Sequence, residues 1–463
     1  MSTRPPAAGC RSTEMAVATA SGDKVVEQAG GLRGELRLPG DKSISHRGLM
    51  LALLANGESR IEGASDGADV RSTAAIARAL GARVERQAGE AGNVDYVVTA
   101  TGGAGLRRPS AILDCGNSGT SLRLFAGIVA GHPIEAILDG DASLRQRPMA
   151  RIIEPLSAMG ARVEGARDGR PPLVVAGRRR LEPIDWRTPV PSAQVKSAIL
   201  LAALAATGTT TVRESVATRD HTERMLRARG MAVRSTTDGA AGGAIVEVDG
   251  PATVAAVDER VPGDPSAAAF WLVAGALHAD ADMVVRRVGV NPTRRAAVDF
   301  LSLMGAAIDE QPNGKGAAAD VGEPVADLRV RSSDLRAIQL MPADTALAID
   351  EIPILCLAAT QARGRSVIRG AGELRHKESD RIAGTVDGLR ALGARINVDG
   401  DDIVIDGPVA LRGAAVDSLG DHRLAMTFAV AGLIAHGHTT IAGADSVSIS
   451  YPTFFADLER IRS

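Results

Sequence analysis

One phrase recurs along this chain and limits what it can fold into. Ala79-Leu80-Gly81-Ala82-Arg83-Val84 returns as Ala158-Met159-Gly160-Ala161-Arg162-Val163, and again in altered form around Gly230, Gly305 and Gly393, at intervals of about 70 to 90 residues. Each copy reads as an amphipathic helix stopped by a left-handed glycine and followed by a β-branched strand. A second phrase alternates with it. An Ala-rich helix runs into a small turn and then a Thr/Ile/Val strand at residues 55–61, 130–138, 206–212, 276–285, 362–368 and 435–441. Together the two phrases predict an α/β protein of six βαβαββ units. One sheet holding them all would be far wider than usual, so two sets of three are expected.

Two Pro-Gly-Asp joints break the rhythm, Leu38-Pro39-Gly40-Asp41 and Val261-Pro262-Gly263-Asp264-Pro265. Three repeats lie between them and three follow the second. The expected architecture is a first domain at 41–261 and a second made of 29–40 plus 262–463. The chain then crosses between domains twice, at a two-strand hinge beside a cleft, where ligand sites tend to form. Residues 1–28 are polar and without periodicity and read as a disordered N-terminal extension.

Composition narrows the function. Fifty-three Lys and Arg stand against 55 Asp and Glu, a net charge of -2, so no global field favours nucleic acid or an anionic membrane. Any anion site must be built locally. With only two Trp, two Tyr and six Phe, base-stacking platforms are not expected and the core falls to Ala, Leu, Val and Ile. Cys10, Cys115 and Cys356 are widely spaced and odd in number, which fits a reducing, cytoplasmic compartment. The longest apolar runs, 267–277 and 424–435, are too short to span a bilayer, and no secretory signal opens the chain.

Against this neutral background, cations gather where helices begin. Lys42, Ser43, Ser45 and Arg47 enter an Ala/Leu helix straight after the first joint, offering hydroxyls, cations and a helix N-terminus to a phosphate. The same stretch also suits an ordinary capped helix, and it is no Walker A loop. The turn Asp114–Thr120 contains Asn117 between Gly116 and Gly119, and the bare backbone of the two glycines lets a ligand approach closely. Arg145 and Arg147 lie just before a proline helix start, where Arg147 can fork onto a carboxylate or phosphate. Ser192, Ala193, Gln194 and Lys196 open another apolar helix, and Arg219 precedes the next. His221 with Glu223 resembles a metal pair only superficially, since no third ligand follows, and no metal is expected. The second half adds Asp350-Glu351, then Lys377, Glu378 and Arg381, then Asp421-His422-Arg423. Lys377 and Arg381, four apart, are expected on one helix face. A positive cleft holding several carboxylates suits polyanionic substrates and acid/base chemistry.

These blocks are also similar to a known family. GDKSISHR at 40–47, GNSGTSLR at 116–123, RPM at 147–149, PSAQVKSA at 191–198, DEIP at 350–353, HKESDR at 376–381 and DHRLAM at 421–426 resemble 5-enolpyruvylshikimate-3-phosphate synthase, over about residues 31–463. The resemblance implies two inside-out α/β barrel-like domains and a 3-phosphoshikimate 1-carboxyvinyltransferase. Such an enzyme moves the enolpyruvyl group of phosphoenolpyruvate to the 5-hydroxyl of shikimate 3-phosphate and releases phosphate, on the way to chorismate and aromatic amino acids. It implies no cofactor, a monomer, and inhibition by glyphosate in competition with phosphoenolpyruvate. Carried over by position, Lys42, Ser43 and Arg47 bind shikimate 3-phosphate, with Lys42 also near phosphoenolpyruvate. Asn117, Gly119 and Arg147 contact phosphoenolpyruvate, while Ser192, Ala193, Gln194 and Arg219 form the shikimate-phosphate clamp. Asp350 is the acid/base residue at the 5-hydroxyl, and Lys377 binds the same substrate. Glu378 donates the proton to the methylene carbon, and Arg381 and Arg423 hold the phosphoenolpyruvate carboxylate and phosphate. One departure stands out: Ile449 occupies the place, before Ser450-Tyr451-Pro452, where the family often has a lysine. The alternatives are the related UDP-N-acetylglucosamine enolpyruvyl transferase, which commonly uses a cysteine in an Arg-rich loop, and a non-catalytic phosphometabolite-binding protein. Retention of both Asp350 and Glu378 argues against the latter, since plain anion binding gains nothing from carboxylates.

Overall fold

In the computed structural model, six helices are apolar on nearly every side, and a helix of that kind can only be a core element. They are Lys42–Leu54, Gly119–Ala130 and Ala193–Ala203, then Pro265–Leu277, Ile352–Gln361 and His422–Ile434, and almost all their residues are buried. The structure describes residues 22–238, 242–312 and 322–463, apart from the side chain of Ala91. The first three helices share one apolar cluster, built from residues between Ile44 and Val261. The other three share a second, made from Val26–Leu38 together with residues from Ala267 to Ile461. No described helix is long and apolar enough to cross a membrane.

Each core helix feeds a strand of a mixed sheet. Leu113–Asp114, Glu135–Asp139, Leu173–Ala176 and Arg162–Gly165 lie side by side in that order, the first pair parallel and the others antiparallel. The same order recurs for Asp185–Arg187, Gly208–Glu214, Gly243–Gly250 and Val233–Asp238, and for Gln339–Leu340, Gly364–Ile368, Asp402–Gly407 and Arg395–Asp399. Gly81, Gly160, Gly230, Gly305 and Gly393, the five recurrent helix stops, all take positive φ. A side chain is disfavoured there, which is why the phrase keeps its glycine.

Three features depart from six equal repeats. The first unit takes its leading strand from Val254–Ala255 and Glu259–Arg260, which pair in parallel with Ala55–Ala64. The fourth takes Leu32–Arg37, parallel to Ala281–Gly289. The sixth is incomplete: Ala415–Asp417 and His438–Ala442 are joined by Lys24–Glu27 as the third strand, and the chain then turns into the Phe454–Ile461 helix. The expected disordered extension over 1–28 is therefore corrected at its end. Residues 24–27 form a strand with Val26 buried, because the open edge of the sixth sheet offers unpaired backbone groups to be satisfied. Residues 1–21 of that extension lie outside the described residues. The core is also less purely aliphatic than composition suggests, since Trp271, Tyr451 and Phe454 stack edge and tilt around one point.

The two chain crossings lie against each other. Asp41 N donates to Pro262 O at 2.7 Å and Asp264 N to Pro39 O at 2.9 Å. In the first core, the Gly119 and Ala193 helices cross in direct backbone contact. A Cβ on Gly127 would lie 2.2 Å from the carbonyl oxygen of Ala198 and 2.9 Å from its Cα. Backbone cannot yield as a flexible side chain does, so Gly127→Ala is expected to destabilise the fold by about 1–3 kcal/mol. Urea unfolding should show a lower midpoint at unchanged slope, whereas a wild-type midpoint would mean that these helices are free to separate.

Candidate active site

All six core helices begin at one cleft of about 610 Å³ between the two apolar cores, lined among others by Lys42, Gly119, Ala193, Ser266, Asp350 and His422. Five of the helices carry side-chain caps: Asp41, Ser118, Ser192, Asp264 and Asp421. Helix N-termini present partial positive charge and unpaired N–H groups, so their convergence favours anions before any side chain is counted. The lining side chains add ten Lys and Arg against five Asp and Glu. The positive charge that the overall composition lacks is thus concentrated locally.

All fifteen residues to which the resemblance gives a role line the cleft. Lys42 Nζ pairs with Asp69 at 3.1 Å. Arg47 is almost wholly enclosed and gives its donors to Thr222 Oγ1 (2.7 Å), Ser197 Oγ (2.7 Å) and the Ser43 carbonyl (2.9 Å). Burial pulls its pKa down to about 10, which still leaves it charged at neutral pH. Arg147 donates to Asn117 Oδ1 at 2.7 Å, and Asn117 in turn donates to Asp141. Arg145 faces away and pairs with Asp139. Gln194 donates to Thr120 Oγ1 at 2.8 Å and accepts from Arg123.

Asp350 is the meeting point of the two halves. Arg219, from the first, donates to its Oδ2 at 2.6 Å, while Lys377 (3.1 Å) and Arg381 (3.4 Å) approach Oδ1. Burial opposes its charge, but Lys377, Arg423, Arg219 and Arg381 outweigh burial and hold the carboxyl well below the usual carboxylate range. Glu378 is held low in the same way: burial disfavours the anion, and Arg381, at 2.6 Å, leads the cations that override it. Arg147 adds a second link across the cleft, 3.9 Å from Glu378. Lys377 does not share a helix with Arg381, contrary to expectation. Asp380 caps Ile382 and Ala383, so the helix starts at Arg381 and Lys377 precedes it, yet both cations still reach Asp350.

Several cleft residues were not singled out from the sequence. Arg123 lies four residues after Gly119 within a quoted block and is drawn to about pKa 10 by burial and by Arg147 and Arg151. That spacing alone aims it back at the turn. Asp69 and Arg294 carried no local signal. Ile449 does not line the cleft, where Arg123 and Arg151 supply cations beyond those foreseen. His221 and Glu223 diverge, the first to Glu323 at 2.8 Å and the second to Lys196 at 2.9 Å. Cys115 is buried, its thiol pushed up by desolvation and directed at the Leu113 carbonyl.

Comparison with known proteins agrees with the geometry. A family model described as EPSP synthase (3-phosphoshikimate 1-carboxyvinyltransferase) matches residues 26–458. The 3-phosphoshikimate 1-carboxyvinyltransferase of Gloeobacter violaceus is 50% identical over 436 residues, covering 93% of this chain and 97% of that protein. An EPSP synthase structure from Acinetobacter baumannii superposes with a TM-score of 0.83 at 38% identity, covering 95% of this chain and 98% of the other. The enolpyruvyl transferase NikO from Streptomyces tendae shares the fold, with a TM-score of 0.74 at 21% identity over 96% of this chain and 98% of its own.

Two imidazoles beside the cleft make the fold sensitive to acid. Burial holds His46 at about 3, with Nδ1 on the Thr73 hydroxyl, and His422 at about 4, with neither ring nitrogen paired in the structure. Unfolded, both return to about 6.5. The unfolded chain therefore takes up protons first, so the stability that both supply above pH 6.5 drains away as the pH falls towards their folded values. Between pH 6.5 and 5 each accounts for a loss of about 1.6 kcal/mol. Thermal midpoints at pH 7 and 5 should differ less in His46→Gln than in wild type, and equal differences would contradict a neutral, desolvated His46.

Proposed function

The chain belongs to the EPSP synthase family and has its 3-phosphoshikimate 1-carboxyvinyltransferase activity, and from that premise we propose how the cleft divides the work. The reaction transfers the enolpyruvyl group of phosphoenolpyruvate to the 5-hydroxyl of shikimate 3-phosphate by addition and elimination. Shikimate 3-phosphate lies against the Lys42 and Ser192 helix starts, held by Lys42, Ser43, Arg47, Ser192, Ala193, Gln194, Arg219 and Lys377. Phosphoenolpyruvate lies between the Asn117–Gly119 turn and Arg147 on one side and Arg381 and Arg423 on the other, with Arg123 beside it.

The observation that carries this division is the bonding of Asp350. Its carboxylate accepts from three cations, and a carboxylate offers about four lone-pair positions. One remains for the 5-hydroxyl, so Asp350 orients that oxygen and takes its proton as the oxygen attacks C2 of the enol. Glu378 supplies a proton to the methylene carbon. In the empty cleft it is an anion. Phosphoenolpyruvate brings negative charge onto the arginines that stabilise that anion, which raises the proton affinity of Glu378 and loads it for donation. In the elimination step the new methyl group returns a proton to Glu378, the C2–O bond to phosphate breaks, the proton held by Asp350 leaves with the phosphate, and the cationic lining stabilises the charge developing on it.

We read each half as an inside-out barrel, sheets outside and three apolar helices within, and the chain as a cytoplasmic monomer. One chain supplies both walls of the cleft, and Cys115 and Cys356 are free, buried thiols, which supports both readings. The domains are 41–261 and 22–40 with 262–463, and shikimate 3-phosphate draws them together across the crossings at 38–41 and 261–265.

Phosphate release from phosphoenolpyruvate should occur with shikimate 3-phosphate and not with UDP-N-acetylglucosamine; the reverse pattern would overturn the assignment. Glu378→Gln should lower turnover by roughly 10²–10⁴-fold while leaving shikimate 3-phosphate affinity within a few-fold. Near-normal turnover would remove Glu378 from the donor role. A Cβ at Gly119 would lie 3.0 Å from Arg123 NH1 and 3.3 Å from Arg147 NH1. Gly119→Ala should therefore weaken glyphosate, the longer ligand, more than phosphoenolpyruvate. Equal loss for both would place the turn away from the extra length of the inhibitor.

A further inference from the structure

Arg294 has no part in the division of labour above, yet it lines the cleft among three carboxylates. It follows Asn291-Pro292-Thr293, and its side chain is 3% exposed. NH2 donates to Ser266 Oγ at 2.8 Å and to Asp264 Oδ1 at 3.4 Å, and lies 3.9 Å from Asp41 Oδ2. NH1 stands 3.8 Å from Glu351 Oε1. Nε and NH1 make no hydrogen bond in the structure.

The two aspartates it touches are the helix caps directly after the two chain crossings. Asp41 accepts from Ile44 N and caps the Lys42 helix. Asp264 accepts from Ser266 N to cap the Pro265 helix, and its other oxygen accepts from Lys42 N at 3.2 Å. The third carboxylate, Glu351, accepts from Ser266 Oγ and lies 3.7 Å from Arg423 NH1, which donates to the Asp350 carbonyl at 3.0 Å. A single planar guanidinium thus faces carboxylates on both crossings and on the segment that carries Asp350. Burial disfavours its charge, but Glu351, Asp41, Asp264 and Asp350 more than compensate, so it stays protonated. An ammonium gathers its three donors at one nitrogen on a flexible stem, so it cannot span the hinge caps and Glu351 as the two guanidinium nitrogens do.

We propose that Arg294 is a positioning residue for the transferase reaction, fixing Lys42 through the paired hinge caps and Arg423 through Ser266 and Glu351. It is not a catalytic residue, because its reach to the reacting groups runs through other side chains. The proposal rests on the roles given above to Lys42, Asp350 and Arg423.

The test compares wild type with Arg294→Lys, Arg294→Met, Glu351→Gln and the Arg294→Met/Glu351→Gln double variant, by steady-state phosphate release and thermal midpoint. Arg294→Lys keeps the charge and should keep the midpoint near wild type. Its kcat should nevertheless fall roughly 100-fold, as misplacement remote from the chemistry can cost, with KM for shikimate 3-phosphate rising by a clearly smaller factor. If Arg294→Met folds, the double variant should lose no more than the worse single, the mark of two residues acting as one unit. If Arg294→Met does not fold, Arg294→Lys decides alone. Arg294→Lys turning over within threefold of wild type, or multiplicative losses in the double variant, would overturn the proposal. Absence of phosphate release by the wild-type enzyme would instead refute the functional reading on which it rests.

Discussion

A helix that is apolar on all sides can show solvent only its ends, and this constraint organises the molecule. Six such helices are buried among sheets, and all six start at the same cleft. The start of a helix is where unpaired N–H groups and partial positive charge lie, so the packing that satisfies the core also builds the anion site. Caps such as Asp41, Ser118 and Ser192 satisfy some of those groups from the side, and Lys42, Gly119 and Ala193 then enter the cleft as the first helical residues.

That arrangement creates an electrostatic problem, which the carboxylates answer. Ten cations lining one cleft would repel one another if left alone. Asp350, Glu378 and Asp421 are threaded between them, and Arg381 bonds to all three. The ion pairs across the cleft, Arg219 to Asp350 and Arg147 to Glu378, balance part of that charge in the empty cleft. On the proposed division of labour, substrate anions take over part of that balance, and the acid/base role of Glu378 follows from the exchange.

Local patterns in the chain were readable wherever the physics was local. The Gly81-type helix stops need only a few consecutive residues, and all five take the conformation that the phrase implies. Cations at helix starts were readable for the same reason. What escaped was non-local. The joints assign 29–40 to the second half, but no property of Leu32–Arg37 names Ala281–Gly289 as its partner, and nothing near Lys24–Glu27 announces the open edge at His438–Ala442 that recruits it. The helix start at Arg381 turned on Asp380 acting as a cap, a local signal overlooked beside the louder charge pattern of Lys377 and Arg381. Arg294 gains its meaning only once the two crossings lie side by side.

On the proposed division of labour, Glu378 is an anion in the empty cleft and gains a proton as phosphoenolpyruvate binds. The direct measurement is calorimetric titration at pH 8, where the substrate phosphates are already ionised, in buffers of different ionisation enthalpy. Phosphoenolpyruvate is added to enzyme saturated with a shikimate 3-phosphate analogue lacking the 5-hydroxyl, which cannot attack. Uptake of close to one proton per site, abolished in Glu378→Gln, is the expected result, and binding with no net proton uptake in the wild-type enzyme would contradict it.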